Sequence, residues 1–126
     1  MMNKRFSVLK RIISFKYAFN GLKVLLLEEH NARVHLVAAI LVIVAGFYFH
    51  LSKVEWMLVI FAIGFVFAME LLNSAIENLA DIITLDKDER IKKTKDLAAG
   101  GVLFAALTAL IIGLIIFIPK IIAVFT

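Results

Sequence analysis

The chain of 126 residues contains no cysteine, which excludes disulfide bonds and thiolate metal sites. It also lacks a phosphate-binding loop of the GxxxxGK type, because its only adjacent glycines, Gly100 and Gly101, are followed by valine and leucine. The HRD and DFG motifs of protein kinases are missing as well. A kinase with this sequence would therefore not be one of the common soluble kinds.

Charged residues are scarce, at 19% of the chain, while 63% of the residues are hydrophobic. A soluble domain has roughly 45–50% apolar residues, so this composition and a mean hydropathy of +0.98 predict a membrane protein. The net charge of +4 comes from basic residues that flank apolar runs, which favours a membrane surface over nucleic acid as the partner. The length predicts one domain. Because three spanning helices are too few to enclose a polar cavity, we expect the chain to oligomerise.

Three apolar segments approach the roughly 20 residues that cross the hydrocarbon core of a bilayer. The first is short, with His35 and His50 at its ends, and the third contains no charged residue and is expected to stop at Pro119. We therefore predict an all-α membrane protein with three transmembrane helices. The predicted spans are residues 35–51, 55–80 and 97–118.

Apolar and basic residues alternate with helical spacing before the first span, over residues 5–30. Such a segment predicts an amphipathic helix in the membrane interface. The basic residues also interrupt any signal-peptide pattern, so we expect the N-terminus to be retained.

The basic residues predict the orientation in the membrane. Lys53 and Lys120 lie on one side of the predicted spans, and the other twelve lie before the first span or in the connector 81–96. Because cytoplasmic segments carry the excess of Lys and Arg, the N-terminal helix and the connector are predicted to be cytoplasmic. The expected location is a bacterial cytoplasmic (inner) membrane.

A strip of small residues recurs at every fourth position of the third span, at Gly101, Ala105, Ala109 and Gly113. Such strips let helices approach closely, within or between subunits. The alternative is a chance pattern in an alanine-rich helix.

Polar residues occur on one face at the end of the second span. Glu70, Asn73, Glu77 and Asp81 fall within one narrow stripe of a helix. We call these four residues the polar stripe. Acids inside a membrane usually face a cavity or a partner and mark function. The alternative is that the span ends at Met69 and the stripe is its solvated extension.

Two further charged pairs are predicted on the same cytoplasmic side, Glu28 with Glu29 and Lys95 with Asp96. Carboxylates from separate elements suit magnesium, which typically takes one or two of them and fills its other positions with water and phosphate oxygens. A lysine beside them suits a polyphosphate. The alternative is that both pairs are ordinary helix-end charges.

The three histidines do not have metal-site spacing. His30 and His35 would lie about 140° apart on a helix, and His50 belongs at the other membrane face. We interpret all three as interface residues.

Four sequence motifs together resemble the prokaryotic diacylglycerol kinase and undecaprenol kinase family. They are YAFNGLK at 17–23, EEHNARVH at 28–35, ELLNSAIENLAD at 70–81 and KDLAAGGVL at 95–103. The resemblance covers nearly the whole chain. It implies a homotrimer of three-span subunits, with composite active sites on the cytoplasmic side that transfer phosphate from magnesium-bound ATP to a lipid hydroxyl.

The resemblance also implies roles for individual residues. Glu70 matches the catalytic base, and Glu29 and Glu77 match the magnesium-binding carboxylates. Where the diacylglycerol-specific members have an arginine near the start of the surface helix, this chain has Lys10 followed by Arg11, and a nucleotide contact is expected there. Asp81 falls on the motif without an assigned role. The remaining matches to positions around the nucleotide are Tyr17, Asn73, Lys95 and Asp96.

The lipid acceptor stays open between diacylglycerol and undecaprenol. His35 occupies a position where the diacylglycerol-specific type has an acid, and this ending looks more like the undecaprenol kinase branch. One rival function is a non-enzymatic membrane protein, an assembly subunit or small transporter, but no polar path runs through all the spans. A lipid phosphatase would carry arginine- and histidine-rich phosphate motifs, which are missing.

Overall fold

A computed structural model describes residues 7–126, which form four helices and no strand. The helices are α1 (Val8–Glu28), α2 (His30–Tyr48), α3 (Lys53–Ile83) and α4 (Glu89–Phe125). In this part of the chain, α2, α3 and α4 are long and apolar enough to cross a membrane. The predicted all-α membrane fold is therefore confirmed.

Ser7 is the N-cap of helix α1, and its hydroxyl accepts a hydrogen bond from the Lys10 N–H at 3.3 Å. Residues 5 and 6 of the predicted surface helix lie outside the described residues. The helix is exposed almost throughout, with Leu25 as its buried residue. It ends at Glu28 because Glu29 has an extended backbone (φ −102°, ψ 113°), which turns the chain sharply into α2.

Helix α2 starts at His30, five residues before the predicted start of the first span, and it ends at Tyr48 rather than at residue 51. His50 follows with φ 54°, the left-handed conformation that closes a helix. The N–H of Leu51 then bonds to the Gly46 carbonyl at 3.1 Å. This closing motif reverses the chain within four residues.

Helix α3 opens with a reciprocal cap between Ser52 and Glu55, in which each side chain accepts the other residue's N–H, at 3.2 and 3.0 Å. The helix then continues without interruption to Ile83 and includes the predicted span 55–80. The alternative in which this helix ended at Met69 is wrong. The polar stripe therefore lies on a rigid continuation of a membrane-spanning helix.

Helix α4 begins eight residues before the predicted third span, because Asp88 caps the N–H groups of Arg90 and Ile91 at 2.8 and 3.3 Å. Residues 84–88 alone separate α3 from α4, so most of the charged connector is helical. The expected stop at Pro119 is wrong, since the helix runs on to Phe125. Proline is tolerated within membrane helices when neighbouring groups hold the chain. Beside it, Lys120 Nζ lies 3.2 Å from Glu55 Oε2.

Helices α3 and α4 make the most extensive contact in the subunit. The small-residue strip of α4 faces α3 there. Ala105 is fully buried, and a Cβ on Gly101 would lie 3.7 Å from Met69 Sδ. The predicted helix–helix contact is confirmed within the chain. The apolar core is centred near the end opposite the polar stripe, on Leu51, Val59 and Ile116.

Most large apolar side chains of the three long helices are exposed in the single chain. A folded soluble monomer does not expose so continuous an apolar surface. These faces therefore meet lipid or other subunits.

Candidate active site

Glu70 is the one buried charged residue among those described, with 2% of its surface exposed. Asn73 and Glu77 are half-buried along the same face of α3, and Asp81 is exposed at its end. Removing a carboxylate from water has a large free-energy cost unless it is paired. The burial of Glu70 agrees with the expectation that an acid of the polar stripe faces a cavity or a partner.

His35 on α2 is the side chain in contact with Glu70, with Nε2 at 3.2 Å from Glu70 Oε1. That separation is within the range of a polar contact, although Oε1 has no aligned hydrogen-bond donor among the described residues. The prediction that His35 is an interface residue did not include this contact. The contact links two spanning helices at the site.

Two further acids lie on the same side of the subunit as Glu70. Glu29, at the corner between α1 and α2, lines a groove with Ser74 of α3. Glu77 lies two turns beyond Glu70 on α3, where it accepts a hydrogen bond from Asn73. These are the two carboxylates expected to bind magnesium, and that role stays a prediction.

Unpaired polar atoms are concentrated at the same place. Among the described residues, three buried side-chain atoms lack a hydrogen-bond partner: Glu70 Oε1, Asn73 Oδ1 and Ser74 Oγ. The other end of the Asn73 amide donates to Glu77 Oε1 at 3.4 Å. Buried polar atoms are nearly always paired, so a cluster of exceptions calls for water, an ion or a ligand.

A groove separates the end of α1 from this part of α3. Glu28 and Glu29 line one wall, and Ser74 and Asn78 line the other. Arg33 holds the corner by donating hydrogen bonds to the last carbonyls of α1, with Nε 2.8 Å from the oxygen of Leu26 and the other bond to Leu27. The rest of the lining is apolar and the Ser74 hydroxyl is itself buried, so Glu28, Glu29 and Asn78 supply the polar side chains of this groove.

The donors around Glu70 fit magnesium chemically, because they are carboxylate oxygens. Within residues 7–126, however, no group of three or more His, Asp or Glu side chains is placed to hold a metal ion. Glu29 and Glu77 would therefore supply part of a coordination sphere, with the remainder coming from phosphate oxygens and water.

Lys95 and Asp96, adjacent in sequence, have different partners. Lys95 on α4 pairs with Asp81 on α3, with Nζ 2.7 Å from Oδ1, and so lies at the end of the polar stripe. Asp96 instead pairs with Lys92 on its own helix at 2.6 Å. Asp96 is thus not brought to Glu70 within one chain, and Asp81, which had no assigned role, anchors Lys95.

Lys10 and Tyr17 are exposed on α1. Tyr17 precedes Glu29 by twelve residues, or about 18 Å along a helix axis. Within a single chain, both predicted nucleotide contacts are therefore far from Glu29 along α1.

The fold and this site define a class, a helical membrane protein with a buried acid and a groove between α1 and α3 near one end of its spans. Known proteins place it more closely. Residues 16–117 match the family model of prokaryotic diacylglycerol kinase. The chain belongs to the prokaryotic diacylglycerol kinase family, and it is a lipid kinase that uses ATP.

The relatives of this chain are of two kinds, undecaprenol kinase and diacylglycerol kinase. The chain is 43% identical over 107 residues to the undecaprenol kinase of Bacillus subtilis (strain 168), covering 85% of this chain and 87% of that protein. It is 32% identical over 113 residues to a diacylglycerol kinase of Synechocystis, covering 89% and 65%. It is 30% identical over 95 residues to the diacylglycerol kinase of Escherichia coli (strain K12), covering 75% and 78%. These relatives do not favour the non-enzymatic alternative.

Proposed function

We propose that the protein transfers the γ-phosphate of magnesium-bound ATP to the hydroxyl of a membrane lipid alcohol, at the cytoplasmic face of a bacterial cytoplasmic membrane. The observation that carries this proposal is the buried carboxylate of Glu70, among unpaired polar atoms, in a chain of the lipid kinase family. The concentration of basic residues on that side supports the orientation.

Glu70 is the proposed proton acceptor. The lipid oxygen attacks the γ-phosphorus, the bond from that phosphorus to the β–γ bridging oxygen breaks, and ADP leaves. The hydroxyl proton passes to the Glu70 carboxylate. Phosphoryl transfer otherwise depends on positioning and on neutralising charge, which polar groups on rigid helices supply. The lipid can approach from the bilayer, since lifting its tails into water would cost about 0.8 kcal/mol per methylene.

Glu29 and Glu77 are the proposed magnesium ligands. When bound, the metal would neutralise charge on the phosphate oxygens. Lys95 is placed to add positive charge at the end of the polar stripe, where Asp81 orients its ammonium group. Asn73 offers an unpaired carbonyl oxygen beside them.

We further propose that a homotrimer completes the site. Lys10, Tyr17 and Asp96 are expected nucleotide contacts, yet one chain does not gather them around Glu70. The exposed apolar faces of the spans support an assembly in which a neighbouring subunit supplies these residues.

An undecaprenol-type isoprenoid alcohol is the proposed acceptor, with diacylglycerol as the second candidate. Two observations favour it. The identity to an undecaprenol kinase is 43%, against 30–34% for the E. coli, Synechocystis and Haemophilus influenzae diacylglycerol kinases. The motif that ends in His35 resembles the same branch. Purified protein given both lipids with labelled ATP would show which one is phosphorylated at the higher kcat/KM.

The decisive test of the reaction is Glu70→Gln, which retains the size of the side chain but removes its basicity. We expect a loss of phosphate transfer of about 10²–10⁴-fold, as for removal of a general base. Glu55→Gln is the matched control. It changes a carboxylate at the opposite end of the same helix and retains a side chain that can cap the helix. Equal activity of the two variants would overturn the assignment of the base.

A further inference from the structure

We propose that His35 is the positioning residue for Glu70, a role that rests on the proposed function. Its imidazole would hold the buried carboxylate in the orientation that receives the lipid proton. The supporting contact crosses between two helices, with His35 Nε2 on α2 at 3.2 Å from Glu70 Oε1 on α3.

The charges facing Glu70 show why it needs this neighbour. His35 is the ionisable side chain in contact with its carboxyl group, and the acids Glu29 and Glu77 lie on the same side of the subunit. Of these three, only the histidine can carry a positive charge. A buried carboxylate without such a neighbour is strongly destabilised.

The packing of α2 fixes where the imidazole lies. His35 is flanked on the same helix face by Ala32, one turn before it, and Ala39, one turn after it. Both alanines are buried, with 0% and 8% of their surface exposed. Small residues let a helix approach its neighbour closely. The face of α2 that carries these alanines thus places the histidine against α3, in contact with Glu70.

His35 is also less enclosed than the carboxylate it contacts. Its side chain is 25% exposed, against 2% for that of Glu70. Below it lies an apolar cavity lined by Ala38, Val66 and Phe67, which offers no alternative polar partner. The imidazole therefore has Glu70 as its neighbour on the inner side, where the acid's orientation is decided.

The test compares His35→Leu with His35→Gln in purified, lipid-reconstituted protein. Leucine removes the nitrogen that contacts Glu70, so we expect kcat to fall by about 100-fold, the effect of a misplaced reacting group, with little change in KM for ATP or lipid. Glutamine retains an N–H near the position of Nε2, so we expect it to recover most of the loss. A purely structural contact would not produce this split and rescue.

A second measurement protects the test against misfolding. If His35→Leu fails to assemble, the leucine variant is made together with Glu70→Gln, which removes the unpaired charge. We expect assembly to be recovered in the double variant, because the defect comes from the isolated carboxylate. No recovery would overturn the pairing.

The other outcomes are equally distinct. Unchanged kcat in His35→Leu, or a raised lipid KM with unchanged kcat, would overturn the positioning role while the kinase function stands. Absence of lipid phosphorylation by the unaltered protein would overturn the proposed function itself.

Discussion

Replacing Gly46 with alanine would strain the corner between α2 and α3. A Cβ at this position would lie 2.6 Å from Cη2 of Trp56, 3.0 Å from Cζ2 of the same ring and 3.1 Å from Cδ1 of Leu51. Carbon atoms pack best at about 3.5–4.0 Å, so the indole must move by roughly 1 Å. Phe47, whose ring centroid is 4.9 Å from that of Trp56, restricts the movement.

Two opposing effects determine how much Gly46→Ala changes the free energy of unfolding. Overpacking a filled site costs about 1–3 kcal/mol, whereas replacing glycine with alanine inside a helix gains up to about 1 kcal/mol. We therefore expect Gly46→Ala to lower the free energy of unfolding by about 1 kcal/mol. Gly113→Ala is the control, because no atom lies within 4 Å of its Cβ, and only the helical gain should remain.

Equilibrium unfolding in mixed micelles, with SDS as the denaturant, measures both variants. Trp56→Phe should reduce the penalty at Gly46, since it removes the ring atoms that clash, and a double-mutant cycle isolates that coupling. The reasoning is refuted if Gly46→Ala is as stable as Gly113→Ala, or if the smaller ring brings no relief.

Three further outcomes are expected. The capped N–H groups at the start of α4 hold the pKa of Asp88 below its ordinary value, so the cap persists above that value and is lost as the pH falls through the lowered pKa. Amide hydrogen exchange in the first turn should report this loss, and Asp88→Ala should reproduce it at neutral pH while Asp88→Asn does not. Arg33→Lys should weaken the corner after α1 by about 1 kcal/mol, because lysine lacks the forked geometry that binds two carbonyls; thermal unfolding measures this. Asp81→Asn should raise KM for ATP more than it lowers kcat, because Lys95 loses its orienting partner; initial-rate kinetics test this.

The number and type of helices followed from apolar runs, but their ends did not. Hydropathy detects the residues that face lipid, whereas a helix begins where its first N–H groups are capped. The cap at Asp88 lies well inside the charged connector, so α4 starts far earlier than its apolar part. Pro119 was expected to stop the helix, but proline is tolerated inside membrane helices when neighbouring groups hold the chain, and Lys120 beside it pairs with Glu55.

The polar stripe was predictable because its residues share one helix and helical spacing places them on one face. The pair Glu28 and Glu29 was a candidate from its charge and its predicted cytoplasmic side, but the choice of Glu29 required the family resemblance, since no local pattern relates the α1–α2 corner to α3. His35 was missed because its partner lies on another helix. One sequence signal was present, as His35 shares a helix face with Ala32 and Ala39, and a polar residue within a small-residue face often packs against a neighbour.

The continuity of α3 fixes the depth of Glu70 in the bilayer. From Lys53 to Glu70 the helix rises about 26 Å, close to the roughly 30 Å thickness of the hydrocarbon layer. The Ser52 cap and the Lys120 ion pair anchor the far end near the opposite interface. A thicker or thinner membrane would therefore displace the carboxylate relative to the lipid headgroups, with helix tilt as the main adjustment. The length of the acyl chains in the host membrane is thus expected to affect the position of Glu70 relative to the lipid headgroups.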